Sequence, residues 1–388
     1  MNKKTLAFLL IIASQQSLAE QWYIEPEVKL KTEYDDNVRL SPINEEDDYS
    51  TLFTGDVYFG TRTEISDIKV HAQLNSIKFA RLKDFDFTGG KLGLETEFTN
   101  DLDQFALKAS YDRDSTRNTE LTETGNIFQS IERTRLNISP SWQRQYSERA
   151  TVFANYGYSD INFEKTRNLN FNDYWYDNAN LGVSYLFTEK TTIQTSIGLA
   201  RYETESISSS KYDQTNIRMD FTHQISESST GGLTLGYMKT DSEFNIPGLG
   251  KTSISDNNWQ FDANYKKQFE ITSFNAELSV SEIPSSQGRL LRKKALNLGF
   301  KRQLNERLNL SVNVEAYKNE TGGGISLATD SREFLSIQPR LTWKATEWWI
   351  INCDYRYIHS ENPDRNNGAA EANRISVTAR YIWPRENN

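Results

Sequence analysis

The chain is poor in most of what an enzyme or a disulfide-built secreted protein depends on. Its 388 residues include one cysteine, Cys353, so no disulfide can close within it. Histidine occurs only as His71, His223 and His359. His359 is followed by Ser360 and Glu361, but sequence neighbours rarely converge on one reacting atom as hydrolysis requires. No enzyme activity, cofactor or metal is therefore expected. The acidic run NEEDD at 44–48 lacks the fixed ligand spacing of a calcium loop and reads as a solvated link. Basic residues are outnumbered, 44 Lys and Arg against 53 Asp and Glu, for a net charge of −9. That balance argues against a nucleic-acid partner, which needs a basic stripe.

Apolar material is also scarce. Hydrophobic residues make up 37% of the chain and the mean hydropathy is −0.68. The apolar run Leu6–Ala13 is well short of the roughly 20 residues of a spanning helix. It lies instead between Lys3-Lys4 and Ser17-Leu18-Ala19, the layout of a secretory signal peptide at 1–19 with cleavage after Ala19. Loss of Lys3 and Lys4 takes the net charge from −9 to −11.

What the chain does have is alternation. In RLNLSVNVEAYKNE (307–320), Leu308, Leu310, Val312, Val314 and Ala316 share one face; Asn309, Ser311, Asn313, Glu315 and Tyr317 share the other. The pattern recurs between about 24 and 384 and predicts about 18 strands of roughly 10 residues each. No stretch carries a convincing helical period. Short links fall at 63–67, 99–103, 146–150, 188–191, 226–230, 269–272, 304–307 and 344–347, and long polar links such as 35–50, 112–129 and 319–333 lie between them. An even strand count with short turns at one end and long loops at the other describes an all-β transmembrane antiparallel barrel over 20–388. The apolar face then points into lipid, which explains how so polar a chain folds. A soluble sandwich would need more apolar residues and steadier loops. Nineteen Tyr, 20 Phe and 8 Trp fit interfacial girdles, with Trp142, Trp259, Trp343, Trp348, Trp349, Tyr355, Tyr357, Tyr381 and Trp383 expected at strand ends. The expected location is the outer membrane of a Gram-negative cell, with lipid and lipopolysaccharide as neighbours.

Alternation also assigns the lumen. Lys29, Lys31, Arg133, Arg135, Arg218, Asp220, Lys266, Arg340, Asp354 and Arg356 are the candidate pore-lining residues, and Arg374 falls on the same face. Cys353 is expected to point outward as an inert small residue. The link at 112–129 is the candidate for an inward-folding gate.

KLKTEYDDNVRLSP (29–42) resembles the first hairpin of a family of outer-membrane porins, with Tyr34, Asp35, Asp36, Asn37 and Val38 matching its turn. Such porins accompany exopolysaccharide or capsule synthesis. The resemblance implies a channel exporting a polysaccharide chain, served by separate periplasmic and inner-membrane export components. It implies no catalytic residues. The alternatives are a diffusion porin for sugars or anions and a structural or receptor barrel with acidic surface loops.

Overall fold

An alternating strand has one face to keep from water, and eighteen such strands resolve this by closing on each other. The computed structural model describes residues 21–117, 130–164, 171–204, 209–246, 250–285, 289–321, 331–363 and 368–383. The signal peptide expected at 1–19 lies outside them. The first nine strands are β1 (Gln21–Asp35), β2 (Asp48–Arg62), β3 (Ser66–Phe79), β4 (Phe87–Thr99), β5 (Asp103–Ser115), β6 (Glu132–Gln145), β7 (Ala150–Phe163), β8 (Tyr174–Thr188) and β9 (Thr191–Thr204). The second nine are β10 (Ser210–Ser226), β11 (Ser229–Ile246), β12 (Gly250–Gln268), β13 (Thr272–Pro284), β14 (Leu290–Gln303), β15 (Leu308–Thr321), β16 (Arg332–Lys344), β17 (Trp349–Glu361) and β18 (Ala369–Ile382). Each pairs antiparallel with its sequence neighbours, and β1 also pairs with β18, from Glu27↔Ile382 to Asp35↔Arg374. That last ladder closes the barrel and leaves no sheet edge in the bilayer.

The eight short turns fall where the sequence places them, and their chemistry is local. Asn100 Oδ1 accepts the N–H groups of Leu102 and Asp103 at 3.1 and 2.8 Å, and Asn305 Oδ1 those of Arg307 and Leu308 at 2.9 and 2.8 Å. These turns mark the periplasmic rim. The strands are 13 to 19 residues long rather than about ten, the longest being β12. The excess lies at the outer ends, where β10–β12 continue past the apolar band. Trp259 is therefore well inside β12, yet its edge-on contact with Tyr237 at 5.2 Å belongs to the outer girdle. At the opposite rim Trp349, Tyr381 and Trp383 are in contact in sequence, the first pair tilted and the second edge-on, with ring centroids 5.0 and 4.7 Å apart. Between the girdles, side chains such as Leu181, Ile197 and Leu199 stand exposed on the outer wall, as a lipid-facing surface requires.

The inner wall is polar at the periplasmic end and apolar at the cell-surface end. Three buried clusters occupy that outer mouth. The link after β1 inserts Leu40 beside Tyr317, Phe334 and Ile358 of β15–β17 and Ala372 of β18. Val38 from the same link packs with Phe79 and Phe85. The third cluster joins Ile131, Ile161, Phe163, Tyr174, Tyr202 and Tyr212, all from β7–β10 or the residue before β6, with Leu290 from the tip of β13–β14. That tip has left the wall. Pairing of β12 with β13 stops at Phe261↔Val280 although β12 runs on to Gly250 and β13 to Pro284. The end of the hairpin folds across the lumen as a flap. Glu282 reaches Asn258 Nδ2 at 2.6 Å and Gln214 Nε2 at 2.9 Å, and Tyr202 donates its hydroxyl to the Ser285 carbonyl at 3.0 Å.

Candidate functional site

All ten candidate lumen residues stand on the inner face by strand register, but only some converge. Lys29 is tied to Glu27 and Asp56, at 2.8 and 3.1 Å. Arg133 is buried and holds both oxygens of Asp114, at 3.0 and 3.1 Å, with Arg135 3.9 Å from the same carboxylate. Arg218 and Asp220 pair along one strand at 2.6 Å. Lys266 lines a separate hollow at the periplasmic end with Asn275 and Glu277. Lys31, Asp354 and Arg356 do meet, around a cavity of about 230 Å³ under the outer plug. Arg340 joins them through a hydrogen bond from Nε to Asp354 Oδ1.

The centre of that group was not foreseen. Asp35, at the top of β1, is buried and receives two guanidinium groups, Arg117 Nη2 at 3.0 Å and Arg374 Nε at 2.9 Å. Arg117 comes from the link after β5 and reaches past Phe79 and Phe85 to the end of β1. Its guanidinium lies over the rings of Phe79 and Phe85, 5.0 and 5.5 Å from their centroids. Burial, and then Arg374 beside it, push the Arg117 pKa down to about 10 against the pull of Asp35, so it stays charged at neutral pH. Two cations share one carboxylate there, and the cavity lining carries four cations, Lys31, Arg117, Arg356 and Arg374, against two carboxylates, Glu33, which pairs with Lys31 at 2.5 Å, and Asp354. Arg117 Nε and two Arg374 nitrogens, Nε and Nη2, find no well-aligned acceptor, because the close Arg374–Asp35 contact is an ion pair of poor hydrogen-bond geometry. Alternation finds Arg374, which lies on β18, but the sequence places Asp35 at the start of the 35–50 link rather than at the end of β1. Alternation has no purchase on Arg117, which lies on a link.

The inward element expected at 112–129 is only partly described, since 118–129 lie outside the described residues. Its described base does turn inward, through Arg117, but much of the obstruction comes from the β13–β14 flap and the 36–47 link. The TyrAspAspAsnVal motif explains how that link is held. Asp36 accepts the Asn373 N–H and side-chain amide at 2.6 and 2.8 Å. Asn37 donates to the carbonyls of Ser41 and Glu371, both at 2.8 Å. The motif pins a loop inside the barrel.

The histidines stand apart. His71 Nε2 is 2.9 Å from Asp56 and its ring stacks on Tyr58 at 4.2 Å. His223 bonds Thr191 at 2.9 Å at the periplasmic rim, and His359 lies within β17, 3.3 Å from Glu371. Cys353 is exposed on the outer wall.

No protein-family model and no curated protein matches the chain. Solved barrels do. One is Pseudomonas aeruginosa OccK2 (OpdF) in complex with glucuronate, with a TM-score of 0.52 and 12% identity over 95% of this chain and 100% of that one. Another is the outer membrane protein opdK from Pseudomonas aeruginosa, with a TM-score of 0.51 and 10% identity over 93% and 99%. The ferric citrate transporter FecA in its unliganded form has a TM-score of 0.51 and 9% identity over 95% and 80%. These identities establish the fold. They also correct the expectation of polysaccharide export, because OccK2 was solved in complex with glucuronate, a small solute and not a polymer. The lumen agrees with that correction. Its outer mouth is filled by three buried clusters, and the cavity beneath them measures about 230 Å³. The chain is a closed 18-stranded antiparallel barrel with the architecture of outer-membrane porins.

Proposed function

We propose that the barrel is a diffusion channel for small polar solutes that favours anions, sugar acids among them. The carrying observation is the Arg117–Asp35–Arg374 group above a cavity also lined by Lys31 and Arg356. Cations held over a narrow aqueous space with low-dielectric walls raise the local concentration of anions and lower the barrier to their passage. The glucuronate held by the similar OccK2 barrel supports a solute of this class. Fixed rings of charge select by sign without trapping, provided each contact stays weak enough to release. The chain would reach the membrane after loss of residues 1–19.

The test is flux into liposomes carrying the purified protein. Glucuronate should enter faster than glucose at low salt, and Arg117→Gln with Arg374→Gln should remove that preference. Salt at 1 M should blunt it in the wild type, as the screening length falls from about 10 Å at 0.1 M to about 3 Å. Equal rates for the two solutes in wild type and variant would sink the proposal.

A further inference from the structure

Charge covers only part of the inner wall. Elsewhere the register sets asparagine beside glycine, twice in the same arrangement. Asn180, Gly198 and Asn216 lie in one row across β8, β9 and β10. Asn275, Gly299 and Asn313 lie in one row across β13, β14 and β15. In each row the missing side chain of the glycine leaves a floor over which an amide lies flat. A methyl group at 299 would collide with Asn275 Oδ1, and one at 198 would collide with Asn180 Oδ1 and meet Asn216 Nδ2 at 2.7 Å.

The second row opens on a hollow of about 210 Å³ that is also lined by Asn297, Glu315, Ser336, Gln338 and Arg356, whose Nε donates to Ser336 Oγ at 2.8 Å. Arg356 lines the basic cavity as well, so the two hollows adjoin. Some lumen amides are tied to neighbours: Asn258 bonds Glu282 at 2.6 Å, and Asn137 accepts from Ser159 at 2.7 Å. No hydrogen bond among the described residues engages the side chains of Asn275, Asn297 or Asn313. Each of these amides offers two donors and an acceptor oxygen with two lone pairs. Three of them around a glycine floor present closely spaced donors and acceptors, which is what vicinal hydroxyl groups match. Room for about seven waters suits one sugar ring.

We propose that this hollow is a subsite for a hydroxyl-bearing sugar ring, with Arg356 placed to take a carboxylate when the ring carries one. The proposal rests on the small-solute reading and adds the recognition of hydroxyls to it. Its test is saturation-transfer NMR on the full chain in detergent, with methyl β-D-glucopyranoside as the neutral probe and cyclohexanecarboxylate as an acid without hydroxyls. The glucoside should show transfer with the wild type and at least fivefold less with the Asn275→Ala, Asn313→Ala double variant. Transfer to cyclohexanecarboxylate should be unchanged. Gly299→Ala should give the same loss by displacing Asn275, while both amides remain in the chain. Shifted mobility of unheated samples in gels would show that each variant is a folded barrel. A wild type without glucoside transfer, or folded variants that keep it, would overturn the subsite. Failure of the channel reading would register separately, as absent solute flux into liposomes.

Discussion

Replacing Asp35 by Asn preserves shape at the centre of the outer plug and removes the one charge that two buried guanidinium groups share. Asp35 is 2% exposed, and Arg117 and Arg374 approach it to 3.0 and 2.9 Å. At an effective dielectric constant of about 20, each contact carries about 5 kcal/mol of gross attraction. The net cost is smaller, because the pairs have already lost hydration, and breaking a buried pair from one side costs about 3–5 kcal/mol. The two cations differ in their means of relief. Arg374 is fixed in β18 by its ladder to β1 and β17, whereas Arg117 rides on a link and can withdraw into water. Asp35→Asn should therefore lower the unfolding free energy in urea by up to about 3–5 kcal/mol, less if Arg117 leaves, and raise conductance in planar bilayers if it does. Adding Arg117→Gln should restore much of the lost stability, giving a coupling above about 1 kcal/mol in the double-mutant cycle. An unchanged unfolding midpoint together with unchanged conductance would refute the shared-carboxylate argument.

Two further perturbations probe the wall and the flap. Val312→Arg, midway along the lipid face of β15, should cost about 2–4 kcal/mol in urea unfolding, while Glu315→Gln on the lumen face should be nearly neutral; equal costs would reverse the inside and outside assignment. Glu282→Ala combined with Leu290→Ser removes the hydrogen bonds and the apolar seat that hold the flap across the lumen, so single-channel conductance should rise severalfold. Conductance equal to wild type would mean that the flap does not obstruct the pore.

Much of the barrel is legible in the sequence because its physics is local. A lipid-facing strand alternates with period two, and a tight turn needs Asn, Ser or Thr at a fixed offset. Both signals survive in isolated stretches such as 304–320. The outer mouth is not legible, for a reason that Tyr317 makes concrete. Alternation puts it on the polar face with Glu315, correctly, but says nothing of depth. Tyr317 lies near the top of its strand, stacked on Phe334 at 4.6 Å, where the inner face has become a packed core. Tyr202 and Tyr212 repeat the case, with rings 5.5 Å apart. Arg117 lies on a link, where periodicity carries no information, so its partner 82 positions away could not be found by spacing. The resemblance at 29–42 marked a stretch whose role is structural, and export was the wrong inference to attach to it.

The flap shows the same limit from the other side. Nothing local in the strand from Thr272 to Pro284 announces that its last residues abandon β12, since they continue to pair with β14, from Ser281↔Lys293 to Pro284↔Leu290. The departure point is set by the solvent outside. An unpaired backbone edge is intolerable in hydrocarbon, where no water can satisfy its N–H and C=O groups, but costs little above the membrane. The last β12–β13 pair, Phe261↔Val280, lies just below Trp259, which marks the outer interface with Tyr237. Within the bilayer the wall is closed by pairing. Above that level Gly250–Gln260 can leave one edge to water, and the freed hairpin can spend its length inside the lumen. The girdle thus fixes both where the barrel must be continuous and where it is free to fold part of its own wall into the pore.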